Sequence, residues 1–387
     1  MKIFHTADWH LGKIVQGVSM LEDQAYVLEQ FIQDIKEQKP DVVIIAGDLY
    51  DRSVPPVEAV QLLNDVLNKI IIELKTPVLA IAGNHDSAAR IDYGSALMKG
   101  SGLYKSGHLV NDIEPVIYED EDGEVHFYLV PFAEPSVVRQ VFCDETITTH
   151  ELAMRKIVEH IEGKMDYTKR NVLIGHAFVT KSGEKEENTS DSERKLTVGG
   201  TECISSEMFE SFNYVALGHL HQAHFVRKES IQYAGSPLKY SESEITHKKG
   251  YLEIELLSDG TAKVEKRFLT PRRDMRSVQD SIENILKYPI NEDYVFIKLT
   301  DKDFVKSAIE QIRTVFPNVL HVERLAVVHQ MTEQTARVNR TKLSDPELFQ
   351  DFYKEMTGQA PDEMIQQLFE EAFQELLDAT REKQEVL

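Results

Sequence analysis

Residues 42–51, VVIIAGDLYD, constrain the fold more than any other stretch. Aliphatic residues in a run, with no polar alternation, read as a strand buried on both faces, and Gly47 allows a sharp turn where the run stops. Asp48 is then carried at the carboxyl end of a strand, where open α/β sheets hold their ligands. One such aspartate proves little, so its recurrence decides the reading.

The ending recurs four times. Residues 2–6 are a short strand candidate running into Ala7, Asp8, Trp9 and His10. In extended chain, residues i and i+2 point the same way, so Asp8 and His10 can converge. Residues 76–82 end in Gly83, Asn84, His85 and Asp86, residues 171–174 in Gly175 and His176, and residues 214–217 in Gly218, His219, Leu220 and His221. Leu21, Ala25, Leu28, Phe31, Ile32 and Ile35 have helical spacing, and Pro55 with Pro56 starts a second helix bearing Val57, Val60, Leu63, Leu67, Ile70 and Leu74. Residues 87–104 read as broken helix, 109–131 as a hairpin, 150–161 as a helix and 224–268 as short antiparallel strands. The fold class expected is mixed α/β, α+β in its later part.

A boundary falls near Pro271, after which the pattern restarts as helix (278–286), strand (294–299), helix (303–316) and strand (319–328), a small α+β domain. The expected domains are 1–270, 271–340 and 341–387. The last carries twelve acidic and four basic side chains. Its paired apolar residues Met364/Ile365, Leu368/Phe369, Ala372/Phe373 and Leu376/Leu377 form a stripe that needs a partner surface, either the same chain or another protein's helices. Residues 181–195, rich in Ser, Glu and Lys, read as a mobile loop.

With 387 residues, 42% hydrophobic and 28% charged, the chain supports two or three domains with their own cores. No stretch is long enough to span a membrane, and the N-terminus lacks a signal-peptide core, so a cytoplasmic location is expected. Cys143 and Cys203 offer neither a thiolate metal site nor a disulfide framework. A formal net charge of −22 opposes simple electrostatic binding of nucleic acid, so metals, a basic patch or a partner must offset it if DNA is bound.

The five strand ends present Asp8, His10, Asp48, Asn84, His176, His219 and His221. A single histidine beside an apolar run is ordinarily structural, but five convergent arrivals are not. Imidazole, carboxylate and amide ligands without thiolate suit Mn, Fe or Zn. Seven groups exceed one ordinary site but fit two ions about 3.5–4 Å apart sharing a carboxylate, an arrangement suited to phosphoester hydrolysis.

The series DxH, GDxxD, GNHD, GH and GHxH resembles the calcineurin-like metallophosphoesterases. That resemblance implies a two-sheet sandwich flanked by helices. It implies that Asp8, His10, Asp48 and His221 bind one metal and Asp48, Asn84, His176 and His219 the other, with His85 as general acid oriented by Asp86. More closely, HTADWHLG, AGDLYDRSVPP, GNHDS, YVALGHLHQ and YAGSPLKYS resemble the SbcD nuclease family, whose members work with the ATPase SbcC. This implies a manganese-dependent nuclease for duplex ends and hairpins, a capping domain, C-terminal helices that grip an SbcC-like ATPase, and a homodimer within a heterotetramer formed through residues 55–75 and the segment after Asp86. The acidic stretch 240–244 departs from the pattern at Glu242, which puts substrate contacts there in question.

Residues 263–276 carry Lys263, Lys266, Arg267, Arg272, Arg273 and Arg276 against Glu265 and Asp274. They suit either phosphate contact or a solvated strand edge and linker. The competing functions are a phosphatase or cyclic-nucleotide phosphodiesterase, which the metal motifs alone allow, and a non-catalytic scaffold, which the intact ligand set opposes.

Overall fold

The computed structural model describes residues 1–183, 190–191, 193, 203–301, 303, 305–325, 348–350, 353–354, 359–362, 364–369 and 372–373. The chain forms two compact units, Met1–Leu325 and Ala326–Leu387.

Two six-stranded sheets make the body of the first unit. One runs Ala262–Phe268, Gly250–Leu256, Lys2–Thr6, Val42–Ile45, Val78–Ile81, Leu103–Ser106, with the last four strands parallel and the first two antiparallel. The other runs His224–Val226, Lys228–Tyr233, Tyr214–Gly218, Arg170–His176, Gly123–Val130, Val116–Asp120, with its four central strands parallel. Val42, Ile44, Leu79 and Ile81 from the first sheet pack on Phe127, Val172, Ile174 and Ala216 from the second. This explains their unbroken apolar runs, because such strands meet apolar neighbours on both faces.

Helices cover the outer faces. Leu21–Gln38 buries Val27, Leu28, Phe31, Ile32 and Ile35, a helical stripe, and stops at Lys39, which is left-handed before Pro40. Truncating Phe31 in this core would cost about 3–5 kcal/mol. Val57–Leu67 packs beside it and widens into a six-residue turn, Asn68–Glu73, closed by Leu74 N–H donating to the Lys69 carbonyl. On the second sheet His150–Glu162 buries Ile157, Val158 and Ile161. Pro135–Phe142, not expected from sequence, is a further short helix. No helix among the described residues is long and apolar enough to cross a membrane.

The small sheet corrects one expectation. Residues 278–286 carry Val278, Ile282 and Ile285 at helical spacing, yet Met275–Asp280 is a strand, paired in parallel with Tyr294–Leu299, and only Ile282–Ile285 is helical. Val278 from the strand and Ile285 from the short helix both pack on one small core with Val295, Ile297, Ile312 and Phe316. The helix expected over 303–316 is confined to Ala308–Ile312, and Val319–Arg324 completes a three-stranded parallel sheet. Residues 326–328 lie outside the described residues.

In the second unit the Asp362 carboxylate accepts from Ile365 N–H at 2.9 Å at the start of a helical stretch. Phe349 stacks on Phe369, ring centres 4.0 Å apart, while Met364 and Leu368 stay exposed. Leu376 and Leu377 lie outside the described residues.

Candidate metal centre

The strand ends of both sheets meet at one place because their glycines let backbones touch. A Cβ on Gly47 would overlap the His176 ring, one on Gly83 would overlap Asp48, and one on Gly218 would overlap the Ala46 carbonyl. Four of the expected ligands, Asp8, His10, Asp48 and His219, have positive φ (54°, 45°, 51° and 108°). Strained backbone of this kind costs of order 1–3 kcal/mol per residue and persists where surrounding structure fixes it. Here it is fixed by a zipper: Asp8, His10 and Leu11 N–H donate to the carbonyls of Gly47, Asp48 and Leu49 at 3.1, 3.0 and 2.9 Å. Buried Gln24 braces the same loop, donating to the Trp9 and His10 carbonyls and accepting from Gly12 N–H.

All seven side chains come together. His10 Nε2 and His221 Nε2 lie 3.0 Å apart, and both group with Asp8. Asn84 Oδ1 is 2.9 Å from His176 Nε2 and 3.3 Å from His219 Nδ1. Asp48 Oδ2 stands between the two groups, 3.7 Å from His10 Nε2 and 3.5 Å from His176 Nε2. Its other oxygen accepts from His85 N–H at 2.9 Å, and Asp8 accepts from His219 N–H at 2.9 Å.

The donor set fits cations. His176 Nδ1–H donates to the Ala46 carbonyl at 2.9 Å, which leaves Nε2 with a lone pair facing Asn84 Oδ1 and Asp48 Oδ2. Three lone-pair atoms at such range need positive charge among them, from a proton or a metal ion. His10 Nδ1 and Asn84 Nδ2 are buried without a hydrogen-bond partner. Spacings near 3 Å suit atoms sharing an ion at bond lengths of about 2.1 Å.

Electrostatics agree. Burial favours a neutral Asp48, but the charge and hydrogen bond of His176 and the charge of His10 hold it well below the usual carboxylate range. Burial, with the Asp48 charge adding, pushes Asp8 up to about 7 against the pull of His176 and His221. His176 is raised to about 9, since Asp48 and Asp8 outweigh its burial. Without an ion the cluster therefore holds protons near neutral pH that an ion must displace.

The calcineurin-like phosphoesterase profile matches residues 1–223, and a profile described as the type 5 capsule protein repressor C-terminal domain matches 271–357. The SbcD component of the SbcCD nuclease from Staphylococcus epidermidis is 38% identical over 363 residues, spanning 93% of this chain and 94% of that one. Its counterpart from Staphylococcus saprophyticus is 35% identical over 365 residues, with the same coverage of each. The chain belongs to the SbcD family of calcineurin-like phosphoesterases.

Membership in the SbcD family makes it a metal-dependent phosphoesterase of the nuclease branch, with the mixed α/β fold described. One expectation carried over from the family's motifs changes. Asp86 does not orient His85: its carboxylate accepts from the backbone N–H groups of Leu49, Tyr50 and Gly83 at 3.1, 2.9 and 3.0 Å, and so fastens the Asp48 loop to the Asn84 loop. The His85 ring is set instead by Nδ1–H donating to the Asp51 carbonyl at 2.8 Å. Glu242 meets Ser277 Oγ and Lys298 Nζ, both at 2.9 Å, and ties the body to the small sheet.

The six cations of the basic segment are engaged elsewhere. Lys263 pairs with Glu255, Arg267 with Glu253 and Glu265, Arg272 with Glu22, Arg273 with Asp23 and Arg276 with Asp293, while Lys266 donates to the Ala223 carbonyl. These partners favour the strand-edge and linker reading over phosphate contact. Sequence reasoning missed Gln24, Lys13, Glu193, Glu244 and Lys249, all of which touch the SbcD ligand loops or their neighbours. Within the loop expected over 181–195, Glu193 is described and accepts from His221 N–H at 2.7 Å.

Proposed function

We propose that this protein is a metal-dependent DNA nuclease, the hydrolytic component of a complex with an SbcC-like ATPase. The convergence of seven nitrogen and oxygen side chains from five strand ends, with Asp48 between two groups, carries the reading. Asp8, His10, Asp48 and His221 hold one divalent ion, and Asp48, Asn84, His176 and His219 the other. The ligand set without thiolate suits manganese. When bound, two such ions polarise a phosphoryl oxygen and make water acidic enough to attack at neutral pH.

The chain's own groups do the rest. Asp48 fixes the separation of the two ligand groups. His85, with Nδ1–H occupied by Asp51, presents Nε2 for proton transfer to the leaving oxygen. The substrate is duplex DNA at ends, with endonucleolytic cutting at hairpins and single strands, in repair, replication and recombination in the cytoplasm. Residues 1–270 carry hydrolysis, 271–340 cap the site, and 341–387 dock on the ATPase through their apolar stripe and acidic charge. Exposed Val57, Val60 and Ile72 form the face of a homodimer within a heterotetramer.

Incubation of the full-length protein with duplex DNA and manganese tests the reading. Cleavage should fall about 10²–10⁴-fold in His85→Ala while both ions stay bound. Hydrolysis of phosphomonoesters or cyclic nucleotides, with DNA left intact, would replace the nuclease by a phosphatase or phosphodiesterase. Deleting 341–387 should spare hydrolysis and abolish co-purification with the ATPase; unchanged co-purification would reject the docking role.

A further inference from the structure

His221 is held by charge on several sides. Its N–H donates to Glu193 Oε1 at 2.7 Å, and its carbonyl accepts from Lys249 Nζ at 2.8 Å and from Ser236 N–H at 3.2 Å. Its ring Nδ1 lies 3.1 Å from Glu244 Oε1. The other Glu244 oxygen meets Lys249 Nζ at 2.5 Å, and Lys249 also donates to Ser236 Oγ at 2.8 Å. Glu244 is fully buried and Lys249 nearly so.

A buried ion pair is a poor way to build stability alone, because apolar residues of similar volume do as well or better. This pair is aimed, however. One end of the carboxylate grips the lysine and the other grips a ligand imidazole on the side away from the cluster. Nδ1–H donating to Glu244 leaves Nε2 as the lone-pair atom, and Nε2 is the atom turned toward His10 Nε2. A carboxylate behind a metal-bound imidazole fixes its tautomer and raises its basicity.

We propose that Glu244, clamped by Lys249, is a positioning residue that sets the tautomer and orientation of His221 and so the affinity of the ion held by Asp8, His10 and His221. This rests on His221 being a metal ligand. Behind His10 no such hydrogen bond is made: its Nδ1 is 3.9 Å from Asp51 Oδ1, itself 2.8 Å from Lys13 Nζ.

The test uses the full chain carrying Glu244→Gln and Lys249→Met together, which removes both charges and strands neither. Calorimetric titration of manganese into the metal-free protein should show two sites in the wild type. In the double variant one should weaken about 10–100-fold and the other hold its affinity. In zinc-loaded wild type labelled with ¹⁵N-histidine, His221 should carry its proton on Nδ1, with a resonance that moves in the variant. Unchanged affinities in a folded double variant, or equal weakening of both sites, would overturn the proposal. So would a wild-type His221 protonated on Nε2, a result that does not depend on the variant folding. If zinc leaves the His221 resonances untouched, the metal reading itself fails, which separates the two failures.

Discussion

The two halves of the centre use the same strand-end device but are supported differently. Behind His221, in the half formed by Asp8, His10 and His221, stands a carboxylate paired with a lysine, Glu244 with Lys249, while the pair of Asp51 with Lys13 lies 3.9 Å from His10 Nδ1 without a hydrogen bond to it. Behind His176 in the other half stands a backbone carbonyl, that of Ala46. Carbonyl support is delivered by the strands themselves, since His176 and Ala46 are at strand ends of facing sheets. The charged support of His221 comes from residues 241–249, so it can be altered without touching the strand ends that carry the ligands.

The contrast breaks most completely where the halves share one support. Gly218→Ala places a Cβ on the Ala46 carbonyl and 2.9 Å from His176 Nδ1. It should destabilise the metal-free protein by about 3 kcal/mol or more in urea unfolding and remove both ions; retention of both ions would mean the sheets yield easily. His221→Ala and His219→Ala lie two residues apart yet should weaken different ions, each by more than about 100-fold, the upper end of the loss seen when an orienting partner is removed. Competition titrations that find the same site affected in both would merge the halves into one.

Protons sharpen the comparison next. Ion binding needs Asp8, raised to about 7, and His176, raised to about 9, in their unprotonated forms. Below about pH 7 both protons must leave, with a further one from His221, whose ring Glu244 and Asp8 hold above its ordinary value against burial, so affinity for the pair should climb at least about 100-fold per pH unit at first and about tenfold per unit toward pH 9. Calorimetry in buffers of different ionisation enthalpy counts the protons, and a flat profile would contradict the assignment. The smallest effect is expected at Glu242→Gln, which loosens the small sheet by about 1 kcal/mol or less because its partner Lys298 is partly exposed, and should leave both ions bound.

Much of this was legible in the chain because strand ends write themselves locally: an aliphatic run, a glycine, then a ligand. Gly47, Gly83 and Gly218 mark the close approaches, and the helix over 21–38 follows from its stripe. What was not legible depends on pairing at a distance. Val278 and Ile282 have helical spacing, but Met275–Asp280 becomes an edge strand because Tyr294–Leu299 lies beside it. The basic segment reads as a cationic row until Glu22, Asp23, Glu253 and Asp293 are brought against it. Glu244 and Lys249 sit 23 and 28 residues after His221, with no periodicity to join them. Asp86 follows His85 directly yet turns to the backbone of Leu49 and Tyr50.

The central claim is that Asp48 serves both halves. Metal content after equilibration with manganese and removal of excess ion measures it most directly in wild type, Asp48→Ala and His10→Ala. The wild type should hold two ions per chain, His10→Ala should keep the ion at Asn84, His176 and His219, and Asp48→Ala should lose both. Equal loss in the two variants would contradict a shared carboxylate between two ions.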